Sequence, residues 1–184
     1  MHGTEAVSVW VSRWAHLVPQ GATVLDVACG HGRHAKFFAA RGCKVTAVDR
    51  DVAALASIQG TAETIEADIE NGPWPFAGRK FDAVVVTNYL WRPLLPAIVD
   101  CVASDGVLIY ETFAAGNEKF GKPSRPDFLL KPGELLQACA ELEVVAYQHG
   151  QIENPARVVQ RIAACGKTRG IAPLESAIPG KKFS

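Results

Sequence analysis

The chain has 184 residues, 48% hydrophobic and 21% charged, and its 19 lysines and arginines balance 19 aspartates and glutamates. A chain of this size folds as one domain with a core that needs neither disulfide nor metal. Zero net charge speaks against binding DNA or RNA mainly through phosphates, which takes a basic surface. Cys29, Cys43, Cys101, Cys139 and Cys165 are odd in number, scattered and without a CxxC pair. They read as reduced thiols of a cytoplasmic protein, not as a disulfide framework or zinc site. No apolar run reaches the length of about 18 residues that crosses a membrane. The first twenty residues carry Glu5, Arg13, His16 and two tryptophans, which do not make a signal-peptide core.

Taken in chain order, Val7, Trp10, Val11 and Trp14, with Leu17 and Val18 behind them, have the spacing of an amphipathic helix. Thr23 to Ala28 is a buried strand, and His31 to Arg41 a helix. Lys44 to Asp49 is a second strand, followed by a helix from Asp51 to Gln59 that Asp51 can cap. Glu63 to Ala67 is a weaker third strand and Phe81 to Val86 a strong fourth. Trp91 to Val102 is mostly helical, with Pro93 and Pro96 restricting its start. Val107 to Thr112 is a fifth strand. Pro132 suits the first turn of a helix running to Glu141. Glu143 to Gln151 and Ala156 to Cys165 then form an antiparallel hairpin.

This alternation implies an α/β fold: a Rossmann-like, doubly wound, mostly parallel seven-stranded sheet closed by a C-terminal antiparallel hairpin. One domain spans residues 1–166, and 167–184 is an irregular tail with Pro173, Pro179 and Gly180. In such sheets ligands bind beyond the carboxyl ends of the strands. Asp26 to Gly32, Asp49, Asp68, Thr87 to Arg92 and Glu111 stand there.

Gly30 and Gly32 allow a sharp turn and a close backbone approach to a ligand. The helix that follows offers unpaired N–H groups. A tight strand–helix turn without a ligand is the bland alternative. Three acids sharpen the pattern, since Asp26, Asp49 and Asp68 follow or end three successive strands. A dinucleotide would fit, because Gly30-His-Gly-Arg-His-Ala35 satisfies G-x-G-x-x-G/A. S-adenosylmethionine would also fit, having no phosphate but a carboxylate, an ammonium, a ribose diol and an adenine. Asp26 discriminates: a carboxylate there repels a pyrophosphate and suits an ammonium. Asp49 would then accept the ribose hydroxyls and Asp68 the adenine amine, with Ile69 packing beside it.

Val24 to Arg33, Val48-Asp49, Ala67-Asp68, Phe81-Asp82 through Asn88, and Gly106 to Ile109 together resemble the ordered motifs of class I S-adenosylmethionine-dependent methyltransferases. The resemblance covers about residues 5 to 165. In its finer detail it looks like the small tellurite-resistance-type or thiopurine-type enzymes. It implies a cofactor site formed by Asp26, Ala28, Cys29, Gly30, His31, Gly32, Asp49, Arg50, Asp68, Ile69 and Thr87.

Methyl transfer needs alignment and exclusion of water more than any one catalytic group. Asn88 and Tyr89 are the candidate catalytic residues, Tyr89 as a proton relay. Packing at the helix start is the bland reading for Tyr89 and Trp91. Trp10, Trp91, Arg92, Glu111 and Arg125 are candidate substrate residues. Phe113 to Lys131 is a long connection of the kind that forms binding loops, and Lys119, Lys122 and Arg125 make it basic. There is no Asn/Asp-Pro-Pro-aromatic tetrapeptide and no Pro-Cys dipeptide, so two classes of nucleic-acid methylation are disfavoured. No third ligand at matching spacing joins His31 and His34 in a metal site. The expected partner is a small-molecule substrate, with no nucleic acid and no membrane, the chain being a monomer or homodimer. An NAD(P)-dependent oxidoreductase and a cofactor-binding module without turnover are the alternatives.

Overall fold

The computed structural model describes residues 6–175. Its centre is a seven-stranded sheet in the order β3-β2-β1-β4-β5-β7-β6. The strands are β1 (Thr23–Val27), β2 (Lys44–Asp49), β3 (Glu63–Glu66), β4 (Phe81–Thr87), β5 (Val102–Phe113), β6 (Glu143–Ile152) and β7 (Arg157–Cys165). The first five run parallel, and β7 pairs antiparallel with both β5 and β6. The expected sheet and terminal hairpin are both present. Strand order reverses between β1 and β4, which opens the ligand crevice of such folds above their carboxyl ends.

Both faces are covered, as near-continuous Val/Ile/Leu strands require. Val24, Val85, Ile109 and Ala163 pack under α1 (Val9–Trp14), α2 (Arg33–Ala40) and α3 (Val52–Ala56). Leu25, Val84, Leu108 and Ile162 pack under α4 (Leu95–Asp100) and α5 (Glu134–Ala138). The helices are shorter than their sequence patterns suggested. Gly32, at φ 66°, delays the start of α2 to Arg33, and Gly133, at φ 73°, delays α5 past Pro132. Asp51 does cap α3, its Oδ1 accepting from the Ala53 and Ala54 amides, but the helix ends at Ala56. β5 begins at Val102, with a register shift against β4 between Phe81 and Ala83. Residues 166–175 carry no helix or strand, and the rest of the expected tail, 176–184, lies outside the described residues.

Candidate active site

The cofactor side of the crevice is built by the glycine loop and the ends of β1, β2 and β3. Gly30 and Gly32 have φ of 52° and 66°. A side chain at Gly32 would meet Ile58 Cγ2 at 2.6 Å, whereas nothing lies within 4 Å of a Cβ built at Gly30. The loop therefore packs closely on one flank and leaves open space on the other. Ala28 adopts φ 52° without being glycine, and so does Asn88 at φ 55°. Ala28 directly follows Val27, and Asn88 lies two residues past Val86, the position paired with Val27 on the adjacent strand. Such backbone costs about 1–3 kcal/mol per residue and clusters where ligands are gripped.

Asp49 joins the two turns. Its Oδ2 accepts from the Gly30 amide at 2.7 Å and its Oδ1 from the Asp51 amide at 2.9 Å. Each oxygen keeps a lone pair for a further donor, as a ribose diol would need. Asp68 is exposed, and hydrogen bonds from the Asn71 side chain and amide and the Glu70 amide hold it below the usual carboxylate range. Its neighbour Ile69 is buried. His31 and Arg50 are exposed, and Ala28 and Cys29 are half-buried. Burial pushes the Cys29 thiol up, so it is a neutral filler beside the loop.

Asp26 is 1% exposed and its Oδ2 accepts from the Ala35 amide at 3.0 Å. Burial raises its carboxyl to about 7, against the lowering effect of that amide and of Arg33. The structure thus gives Asp26 a task not expected of it, tying the first turn of α2 to the end of β1.

The other side differs more from expectation. Thr87, Glu111, Arg161 and Gln148 are register neighbours across β4, β5, β7 and β6. They form a polar row one step beyond the apolar row Val85, Ile109, Ala163 and Ala146. Glu111 is 3% exposed. Its Oε2 lies 2.5 Å from Arg161 Nε and its Oε1 accepts from the Ser8 hydroxyl at 2.9 Å. It was expected to meet substrate, but its Oε1 is hydrogen-bonded to Ser8 and its Oε2 faces Arg161 as an ion pair without hydrogen-bond geometry. His34 Nε2 accepts from the Ser8 amide at 3.1 Å, and its Nδ1 lies 3.4 Å from Thr87 Oγ1. Burial, with Arg33 beside it, lowers His34 to about 3, which keeps the ring neutral as that acceptor role requires.

Four other expected site residues also sit differently. Trp10 is 2% exposed, and its indole N–H donates to the Ile162 carbonyl at 3.1 Å, so it packs the core and lines no chamber. Arg92 spends its guanidinium on Glu134, at 2.6 and 2.9 Å, and on the carbonyls of Asp127 and Leu129. It clamps the 113–131 connection instead of reaching for substrate. Arg125 is exposed, paired with Asp127 at 2.7 Å and lying over the Phe128 ring. The Tyr89 hydroxyl is buried with no hydrogen-bond partner of good geometry among the described residues. Burial and the carboxylates of Glu70 and Asp68 push it up, which places it toward the β3 turn and makes it a poor proton relay. Asn88 is exposed, its amide held by the Glu111 carbonyl at 2.9 Å, and Trp91 is half-buried beside it.

Ser8 and Arg161 were missed. Ser8 stands directly before the amphipathic pattern, where a cap belongs, and does accept from the Trp10 and Val11 amides. Arg161 interrupts the inward-facing set Val159, Ala163 and Cys165. An unpaired charge at such a position is rare, so a buried partner was implied.

Residues 24–105 match the family model described as a methyltransferase domain. Solved structures share its fold. TehB from Haemophilus influenzae aligns at 20% identity and TM-score 0.73 over 90% of this chain, which spans 64% of that protein. A TehB-like S-adenosylmethionine-dependent methyltransferase from Corynebacterium glutamicum aligns at 19% identity and TM-score 0.63, over 88% of this chain and 89% of its own. Coclaurine N-methyltransferase bound to N-methylheliamine and S-adenosylhomocysteine aligns at 19% identity and TM-score 0.59, over 78% and 49%. No curated protein matches the sequence. The open flank at Gly30 and the acceptor lone pairs of Asp49 suit a neutral diol and a cation, and they do not suit a pyrophosphate. Among the described residues no helix is long and apolar enough to cross a membrane.

Proposed function

We propose that this protein is an S-adenosylmethionine-dependent methyltransferase that acts on a small-molecule acceptor by in-line displacement. The observation that carries the reading is how firmly the segments bordering the crevice are held. The sheet and its helices take up most of residues 9–165. Among the described residues, the crevice beyond the strand ends is bordered by residues 6–8, the turn at residues 87–92 and the connection at 113–131. That connection is pinned at one end by Arg92. At the other, buried Asn117 donates to the Pro123 carbonyl and accepts from the Val158 amide. It therefore serves as a fixed wall, suited to a compact acceptor.

In this reading Asp49 holds the ribose, Asp68 and Ile69 meet the adenine, and loop residues 28–32 lie against the methionine end. S-adenosylmethionine supplies an electrophilic methyl group when bound. The protein's own part is alignment: Thr87, Asn88 and Trp91 border the acceptor, and the buried rows beneath exclude water. A cytoplasmic setting agrees with five free thiols. The test uses cofactor labelled in its methyl group, incubated with cell extract separated into small molecules, protein and RNA. Label in the small-molecule fraction is expected. Label in protein or RNA would overturn the acceptor class.

A further inference from the structure

Residues 6–8 cross the crevice edge on three polar contacts. The Ala6 carbonyl accepts from Arg33 Nη1 at 3.3 Å, at the first turn of α2. The Ser8 amide donates to His34, also on α2. The Ser8 hydroxyl donates to Glu111 at the end of β5. One short stretch thus bridges the helix that follows the glycine loop and the strand that borders the acceptor side. The anchoring carboxylate is buried and would cost several kcal/mol uncompensated. Arg161, itself 13% exposed in its side chain and lying 5.8 Å from the Trp10 ring centroid, supplies the counter-charge.

We propose that Glu111 is a positioning residue for methyl transfer: through Ser8 it holds residues 6–8 closed as a wall of the acceptor chamber. The chamber itself rests on the small-molecule reading above. Ser8 has a second task, capping α1, and the two can be separated. Aspartate caps a helix as well as serine does. It cannot donate to Glu111, and it sets a second carboxylate against it.

The experiment compares Ser8→Asp, Ser8→Thr and Glu111→Leu in the full chain. Hydrogen exchange is followed over residues 6–17, S-adenosylhomocysteine affinity by calorimetry, and turnover as label entering the small-molecule fraction. For Ser8→Asp we expect exchange at least tenfold faster over that segment and about tenfold lower turnover, with affinity within twofold of the parent. Ser8→Thr, which keeps the hydroxyl, restores both. Glu111→Leu, which offers no acceptor, shows the same loosening if it folds, and Ser8→Asp decides the matter if it does not. Unchanged exchange in Ser8→Asp, or affinity falling in step with turnover, overturns the proposal. If the parent transfers no label to small molecules, the acceptor reading fails, while exchange and affinity still decide whether Glu111 holds the segment.

Discussion

The two halves of the crevice handle polar groups in opposite ways. Over β1, β2 and β3 the polar groups sit in turns, partly exposed, with acceptor capacity left over: Asp49 and Asp68 bind only nearby amides. Over β4, β5, β7 and β6 they lie in a row centred on buried Glu111 and are spent on one another, as Glu111 is on Arg161 and Ser8. The first half is built to accept a ligand that brings its own donors. The second is built to be rigid, so that its shape and not its free valences selects what lies against it. Buried, paired groups contribute little net affinity but fix geometry, and geometry is what an in-line transfer demands.

The comparison can be broken most forcefully at Arg92. If the acceptor half is a fixed wall, Arg92→Ala frees four carbonyl or carboxylate partners and costs about 2–3 kcal/mol of stability by denaturant unfolding. Arg92→Lys recovers less than half, because an ammonium cannot span that fork. A loss under about 0.5 kcal/mol would mean the connection is held by other contacts. On the cofactor half, Asp49→Ala is expected to weaken S-adenosylhomocysteine binding at least tenfold, about 1.4 kcal/mol, by calorimetry.

A smaller effect separates the buried acid from the exposed ones. Asp26 titrates near 7 in the folded chain against 3.8 as its reference, so the folded state holds an extra proton between those values. The wild type is then most stable in this respect below pH 4 and loses that contribution as pH rises to 7. Asp26→Asn removes the titration. Its stability relative to wild type should rise between pH 4 and 7 and stay level above. A difference independent of pH would show the carboxylate ionised throughout. His34 runs the other way: it is neutral in the fold down to about pH 3, so acid costs stability as pH falls from 6.5 toward 3. His34→Gln should blunt that loss in a pH-dependent melting series. The smallest effect belongs to Tyr89→Phe. Its hydroxyl is buried toward Asp68 and Glu70, so turnover at saturating cofactor should change less than threefold; a hundredfold drop would restore it as a proton relay.

The difference between the halves also explains what could be read from sequence. β1 through β5 announce themselves as β-branched runs, and the cofactor motifs are local, each acid standing next to the strand it ends. The terminal hairpin was equally plain, because no helical pattern separates Glu143–Ile152 from Arg157–Cys165. The acceptor half is written in register. Glu111 and Arg161 are 50 positions apart and meet only because β7 runs antiparallel beside β5. Nothing adjacent to Arg92 reveals that Glu134 and three loop carbonyls will surround it. Ala28 is a further case: a left-handed residue at the end of β1 that sequence would assign to glycine. Helix lengths were overread because apolar spacing continues past the point where Gly32 and Gly133 break the backbone.

The central claim is that the cofactor lies over β1 and β2, with its ribose on Asp49. A crystal structure with S-adenosylhomocysteine tests it most directly. The ribose hydroxyls should lie within hydrogen-bond distance of both Asp49 oxygens, with the adenine beside Asp68 and Ile69 and the sulfur facing Thr87 and Asn88. A ribose bound away from Asp49, or a sulfur turned from the β4 end, would contradict the account.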